Sequence, residues 1–260
     1  MSIILGMNLY KKSKQIILEI RDHLSVLRES ETTLQAILES NRKIQGFGEL
    51  GQDTVGILRH RANVRSAEFI EKNLEEASLY FSLNQLWDLA LKNLNQSELI
   101  LEFGVHSGNS INYFAAQTNR QIHGFDSFTG LPENWPGTWL DVGSFNVEGN
   151  LPKVPKHVTL HKGWFHETLG SFLQTHNGSI SLVHIDSDLY SSAKYVLESI
   201  ADRFVSGSLV LFDEHHGYVG WENGEFKAWN EFCESHRVNF KYMGFAQLAA
   251  LIRIDSIENT

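Results

Sequence analysis

Carboxylates recur where apolar runs of this chain give way to polar turns. Glu102 follows Leu99-Ile100-Leu101, Asp126 closes His123-Gly124-Phe125, Asp186 and Asp188 follow His184-Ile185, and Asp213-Glu214 follow Leu211-Phe212. If the apolar runs are neighbouring strands, their acidic tips converge. Oxygen donors of that kind suit Mg²⁺, which takes few protein carboxylates and keeps waters. Asp186, Asp213 and Glu214 are the expected metal ligands. Asp188 is then free to act as general base on a hydroxyl whose ionisation the ion favours. Asp188 or Glu214 could instead only cap the helix that follows. His215 and His216 come next; histidine titrates nearest neutrality, and His215 is carried as the rival base.

The segment Glu102-Phe103-Gly104-Val105-His106-Ser107-Gly108 precedes a helix-like stretch, 109–118. A strand ending in Gly-x-x-x-Gly brings bare backbone and a helix N-terminus against a ligand, so Gly104 and Gly108 are expected cofactor contacts. The spacing is not the Gly-x-Gly-x-x-Gly of a dinucleotide fingerprint. Glu102 would repel a pyrophosphate but suits a cationic amino group. S-adenosylmethionine has that group and no phosphate. Asp126, about 20 residues beyond the glycine turn, suits two ribose hydroxyls of NAD or S-adenosylmethionine alike. In Gly163-Trp164-Phe165 the aromatic pair could flank an adenine while Gly163 meets its edge; the same pair also fits core residues opening a helix. Asp186 counts among the cofactor contacts as well as the metal ligands.

The elements that must position these residues begin near residue 98. Strand-like runs at 98–103, 121–126, 157–161, 180–186 and 208–213 alternate with helix-like runs at 109–118, 165–175, 191–204 and 224–235. This is the rhythm of an α/β doubly wound, Rossmann-like sheet, mostly parallel. The chain ends in two strand-like runs, 238–243 and 247–254, joined by Gly244-Phe245-Ala246, which implies a C-terminal antiparallel hairpin and favours a methyltransferase over a dehydrogenase. The stretch 129–156 holds all four prolines together with Trp135, Trp139 and Phe145, and reads as a lid with aromatic contacts.

Upstream, residues 1–80 read as a helical N-terminal extension and 81–260 as the catalytic domain. Over 13–45, Ile17, Leu24 and Leu38 with Ile20, Leu27 and Leu34 make a heptad seam, for homo-oligomer pairing or for docking on the same chain. Runs 64–80 and 82–94 also read as helices, with Gly46, Gly48, Gly51 and Gly56 marking an irregular segment before them.

Composition narrows the partners. The 260 residues are 42% hydrophobic, enough for a full core, and a net charge of −9 with no basic patch argues against nucleic acid or an anionic membrane. Cys233 is the only cysteine, which excludes an internal disulfide and a cysteine-rich metal site. Lys11, Lys12 and Lys14 interrupt any signal-peptide core, and no apolar run nears the ~20 residues of a membrane helix, so a cytoplasmic protein without membrane insertion is expected.

Taken in order, Glu102-Phe103-Gly104-Val105, the run from His123 to Phe128 with Gly130-Leu131-Pro132, His184-Ile185-Asp186-x-Asp188-Leu189-Tyr190 and Phe212-Asp213-Glu214 resemble the macrocin O-methyltransferase-like (TylF-like) family of class I S-adenosylmethionine-dependent methyltransferases. The resemblance runs from about residue 79 to 254. It implies Mg²⁺-assisted O-methylation of a small-molecule hydroxyl, on a sugar or a sugar-bearing natural product. It also implies metal ligation by Asp186 and Asp213-Glu214, base action by Asp188, and cofactor contacts at Glu102, Gly104, Asp126 and Ser127. Family members often have Asp-Asp where this chain has Asp213-Glu214. Two other readings stay open: a nucleotide-sugar glycosyltransferase using Asp186 and Asp188 as an Asp-x-Asp motif, and a non-catalytic S-adenosylmethionine-binding assembly protein.

Overall fold

A computed structural model describes residues 53–258. The heptad helix expected over 13–45 lies outside them.

Eight strands form one sheet: β1 (Ser78–Tyr80), β2 (Leu99–Phe103), β3 (Ile122–Asp126), β4 (Val158–Lys162), β5 (Ile180–Ile185), β6 (Leu209–Phe212), β7 (Asn239–Ala246) and β8 (Ala249–Ser256). Their order is β1-β7-β8-β6-β5-β2-β3-β4. Only β8 runs antiparallel to its neighbours. Every residue of β2, β5 and β6 is buried, which is why these strands read as continuous apolar runs rather than alternating ones.

Helices cover both faces. On one lie α4 (Phe165–Thr175), α5 (Tyr190–Ser199) and α6 (Glu225–Ser235), whose Leu169, Phe172, Val196, Trp229 and Phe232 pack on Phe103, Ile185 and Phe212. On the other lie α2 (Leu83–Lys92) and α3 (Asn109–Gln117), whose Leu86, Ala90, Ile111 and Phe114 pack on Ile100, Leu182 and Leu211. This is the expected doubly wound sheet with its terminal hairpin.

Three local expectations are corrected. The helix before β1 is α1 (Thr54–Glu71), which takes in Gly56, and not 64–80. Residues Ser78–Tyr80, read as the end of that helix, pair in parallel with β7 instead, so sheet pairing overrides the helical pattern. The β7–β8 turn falls at Gln247-Leu248, with Gln247 at φ 52°. A bulge between Tyr242 and Gly244 keeps Gly244 inside the strand. A Cβ there would lie 2.8 Å from the Tyr80 ring, so the glycine serves close packing, not the turn. Among the described residues no helix is long and apolar enough to cross a membrane.

Candidate active site

Main-chain hydrogen bonds continue past the strand ends and hold their tips side by side. Gly104 N–H donates to Phe125 O (3.0 Å), Asp186 N–H to Phe103 O (2.9 Å) and Asp213 N–H to Ile185 O (3.0 Å). Strands β2 and β5 are neighbours from which the order runs in opposite directions, the crevice where open α/β sheets bind ligands. A cavity of about 330 Å³ opens there. Of the expected cofactor residues Gly104, Asp126, Ser127, Trp164, Phe165 and Asp186 line it; so do Asp188, Asp213 and Glu214. Glu102, Gly108, Gly163 and His215 do not.

The glycines are required by the chain itself. At Gly104 (φ +95°) an added Cβ would stand 1.7 Å from the Asp186 carbonyl oxygen. Gly108 (φ +83°) precedes α3, and a Cβ there would meet Pro152 at 2.8 Å. Gly163 (φ +143°) donates its N–H to Asp126 O at 2.9 Å.

Asp126 fastens the turns around the cavity. Its Oδ2 accepts the N–H groups of Val105 (2.8 Å) and His106 (2.7 Å), and its Oδ1 accepts that of Phe128 (2.6 Å). Glu102 stands behind the cavity wall, fully buried. It accepts a hydrogen bond from Ser110 Oγ (2.9 Å) and faces His184 Nδ1 at 3.3 Å. His184 Nε2 lies 3.8 Å from Asp213 Oδ1, an ion-pair separation. Burial opposes charge on His184, but Asp213 and Glu102 hold its pKa well above the usual value. Burial likewise opposes charge on Asp213, and His184 nonetheless brings its pKa down. Burial raises that of Glu102.

Carboxylate oxygens of Asp186, Asp188 and Glu214 all lie within 4.8 Å of one another. The convergent set thus contains Asp188 where the sequence suggested Asp213, which has turned toward His184. Burial, then mutual repulsion, raises the pKa values of Asp186 and Glu214 well above the carboxylate range. Asp188 is pushed up to about 7 by burial and by the charges of Asp213 and Asp126. Glu214 Oε2 is buried and accepts no hydrogen bond. An oxygen-only set with an orphaned buried acceptor fits a hard divalent cation.

Asp188 sits at φ 62°, and Leu189 N–H closes onto Ser187 O at 2.6 Å. A two-residue closure with positive φ at its centre is the rare, strained form of the γ-turn. Strain of this kind costs on the order of 1–3 kcal/mol and gathers at functional sites.

His215 and His216 are not brought to the cavity. His215 is fully buried, with Nε2 2.9 Å from Tyr242 Oη and its ring against Phe212 and Phe226. Burial holds its pKa well below the usual value. The backbone N–H groups of His215 and His216 both donate to Leu248 O, so the turn after Glu214 is pulled under the β7–β8 hairpin.

The 129–156 stretch supplies part of the wall. Trp135 and Phe145 line the cavity, whereas Trp139 is 79% exposed. Trp135 packs on Tyr218 with ring centroids 5.4 Å apart. The sequence reading missed His106 and Ser192, which also line the cavity; the place of His106 in the glycine turn was its only signal.

Residues 101–215 match a family model described as a methyltransferase domain. The crystal structure of CalS11, a calicheamicin methyltransferase, is 27% identical over 65% of this chain and 77% of that one, with a TM-score of 0.57. The apo structure of CalS11, described as a TDP-rhamnose 3'-O-methyltransferase, gives 25%, 65%, 78% and 0.50 for the same measures. The O-methyltransferase NovP gives 17%, 65%, 78% and 0.48. No curated protein matches the chain significantly. The sheet order, the cavity and the family match define a class I S-adenosylmethionine-dependent methyltransferase. Within that class its motifs resemble the macrocin O-methyltransferase-like (TylF-like) enzymes, and the likeness to CalS11 supports that resemblance.

Proposed function

We propose that this enzyme methylates a hydroxyl of a sugar or a sugar-bearing natural product, with Mg²⁺ assisting. The observation that carries the reading is the set of Asp186, Asp188 and Glu214 oxygens within 4.8 Å of one another beside the cavity. The CalS11 likeness supports the acceptor class.

In this reading Asp126 and Ser127 take the donor's ribose, and Trp164 and Phe165 flank its adenine. Backbone at Gly104 meets the methionyl end. Glu102 and Gly108 act from behind, through Ser110, His184 and the start of α3. The donor's sulfonium methyl is already activated, so the protein's main task is alignment, which can supply roughly 7–11 kcal/mol. Asp186 and Glu214 would hold Mg²⁺. When bound, the ion is a Lewis acid that eases loss of the acceptor's hydroxyl proton. Asp188 takes that proton, since a pKa of about 7 suits a base near neutrality. The methyl C–S bond breaks, the C–O bond forms, and S-adenosylhomocysteine leaves. Asp213 stays fixed against His184; joining the ligands requires its carboxylate to turn. The heptad seam read over 13–45 is proposed to pair subunits, while Ser78–Tyr80 belongs to the catalytic sheet.

The test is release of S-adenosylhomocysteine from S-adenosylmethionine with TDP-rhamnose as acceptor, with and without EDTA. The reading expects metal-dependent release. Stabilisation by uridine diphosphate with Mn²⁺, but not by S-adenosylhomocysteine, would favour the glycosyltransferase reading instead.

A further inference from the structure

Glu225 opens α6, 38 residues beyond Ser187, and is fully buried against it. Its Oε1 accepts both the N–H (3.1 Å) and the hydroxyl (3.2 Å) of Ser187. Ser187 separates Asp186 from Asp188 and forms one end of the strained turn that carries Asp188. The other end is set by Leu189, which is buried and whose carbonyl accepts the Ala193 N–H of α5 at 3.0 Å. Two helices therefore grip the turn, α5 from behind and α6 through one carboxylate. The preceding Gly224 lets α6 approach: a Cβ on it would stand 1.9 Å from Tyr218 Oη.

We propose that Glu225 is a positioning residue, whose buried carboxylate holds the Ser187 turn so that Asp186 and Asp188 present their oxygens to the cation and the acceptor. The proposal rests on the metal-assisted reading above. It assigns to Glu225 no contact with donor, acceptor or ion. Strained backbone persists only where the surroundings over-determine it, and the paired bonds to Ser187 are that restraint on the α6 side. Supporting contacts of this kind change metal affinity or rate about 10–100-fold when removed.

The test measures Mn²⁺ affinity of the full-length protein from the free-ion electron paramagnetic resonance signal. S-adenosylhomocysteine affinity and the melting temperature are taken alongside. Glu225→Ala is expected to weaken Mn²⁺ binding about 10–100-fold while S-adenosylhomocysteine affinity stays within about threefold. Glu225→Gln keeps an acceptor oxygen for Ser187 and is expected to restore Mn²⁺ affinity to within about threefold of wild type. A merely structural role would lower the melting temperature and leave Mn²⁺ affinity of the folded protein unchanged, which overturns the proposal. Should Glu225→Ala fail to fold, Ser187→Ala deletes the hydroxyl half of the contact; weakened Mn²⁺ binding supports the proposal and unchanged binding overturns it. Wild-type protein that binds no Mn²⁺ would instead reject the metal reading itself.

Discussion

The carbonyl oxygen of Asp186 fills the space that a side chain at position 104 would need, 1.7 Å from an ideal Cβ on Gly104. The tip of β2 can lie against the tip of β5 only because residue 104 has no side chain. That contact places the cavity next to the acidic cluster.

Gly104→Ala is therefore expected to destabilise the protein by more than the cost of its positive φ alone. A left-handed alanine costs roughly 1–2 kcal/mol, and overpacking against fixed backbone adds about 1–3 kcal/mol. Gly143 (φ +81°) has nothing within 4 Å of its Cβ position, so Gly143→Ala reports the backbone cost by itself. Denaturant unfolding of the two variants compares them; equal losses would show that the Asp186 contact is unimportant.

Asp126 joins the ends of β2 and β3 through three accepted N–H bonds while facing the cavity. Hydrogen bonds to charged groups contribute about 1.5–3 kcal/mol each. Asp126→Ala should lower S-adenosylhomocysteine affinity by at least about tenfold in calorimetry, about 1.4 kcal/mol, and should also lower the melting temperature. Unchanged affinity would remove Asp126 from the ribose role.

Asp188 links stability to pH through a carboxyl raised from 3.8 to about 7. Below about pH 4 it is protonated in both folded and unfolded chains, and its contribution is fully present. As pH rises toward about 7 the unfolded chain ionises first, and the contribution is lost. A cation competes with that proton. The metal-free protein should therefore lose thermal stability between about pH 4 and about pH 7, and the gain from excess Mg²⁺ should grow across the same window. Asp188→Asn should make the metal-free trend shallower, leaving the part that Asp186, Glu214 and Glu225 contribute with the same sign. A Mg²⁺ shift that is absent, or equal at both ends, would contradict this.

Strands β2, β5 and β6 were legible in the sequence as mostly apolar runs ending at a glycine or a carboxylate, whereas β3 and β4, with His123, Thr159, His161 and Lys162, were placed by their spacing between helix-like runs. The acidic tips followed from the runs. What the sequence could not convey was which way each side chain turns. Asp213 faces a buried histidine, His184, and His215 is drawn under the hairpin by Leu248. Glu225 carried no local signal, since it meets Ser187 from 38 residues away. Gly104 was read as room for a ligand; it lines the cavity, and β2–β5 pairing adds a second requirement, room for the Asp186 carbonyl. The helix expected over 64–80 failed because pairing with β7 decides the state of Ser78–Tyr80.

The most direct measurement is a crystal structure of the protein with S-adenosylhomocysteine and Mn²⁺, with anomalous data collected at the manganese edge. The account predicts the nucleoside between Asp126 and Trp164 and one anomalous peak among Asp186, Asp188 and Glu214. A nucleoside bound elsewhere, or no peak at the carboxylates, would contradict it.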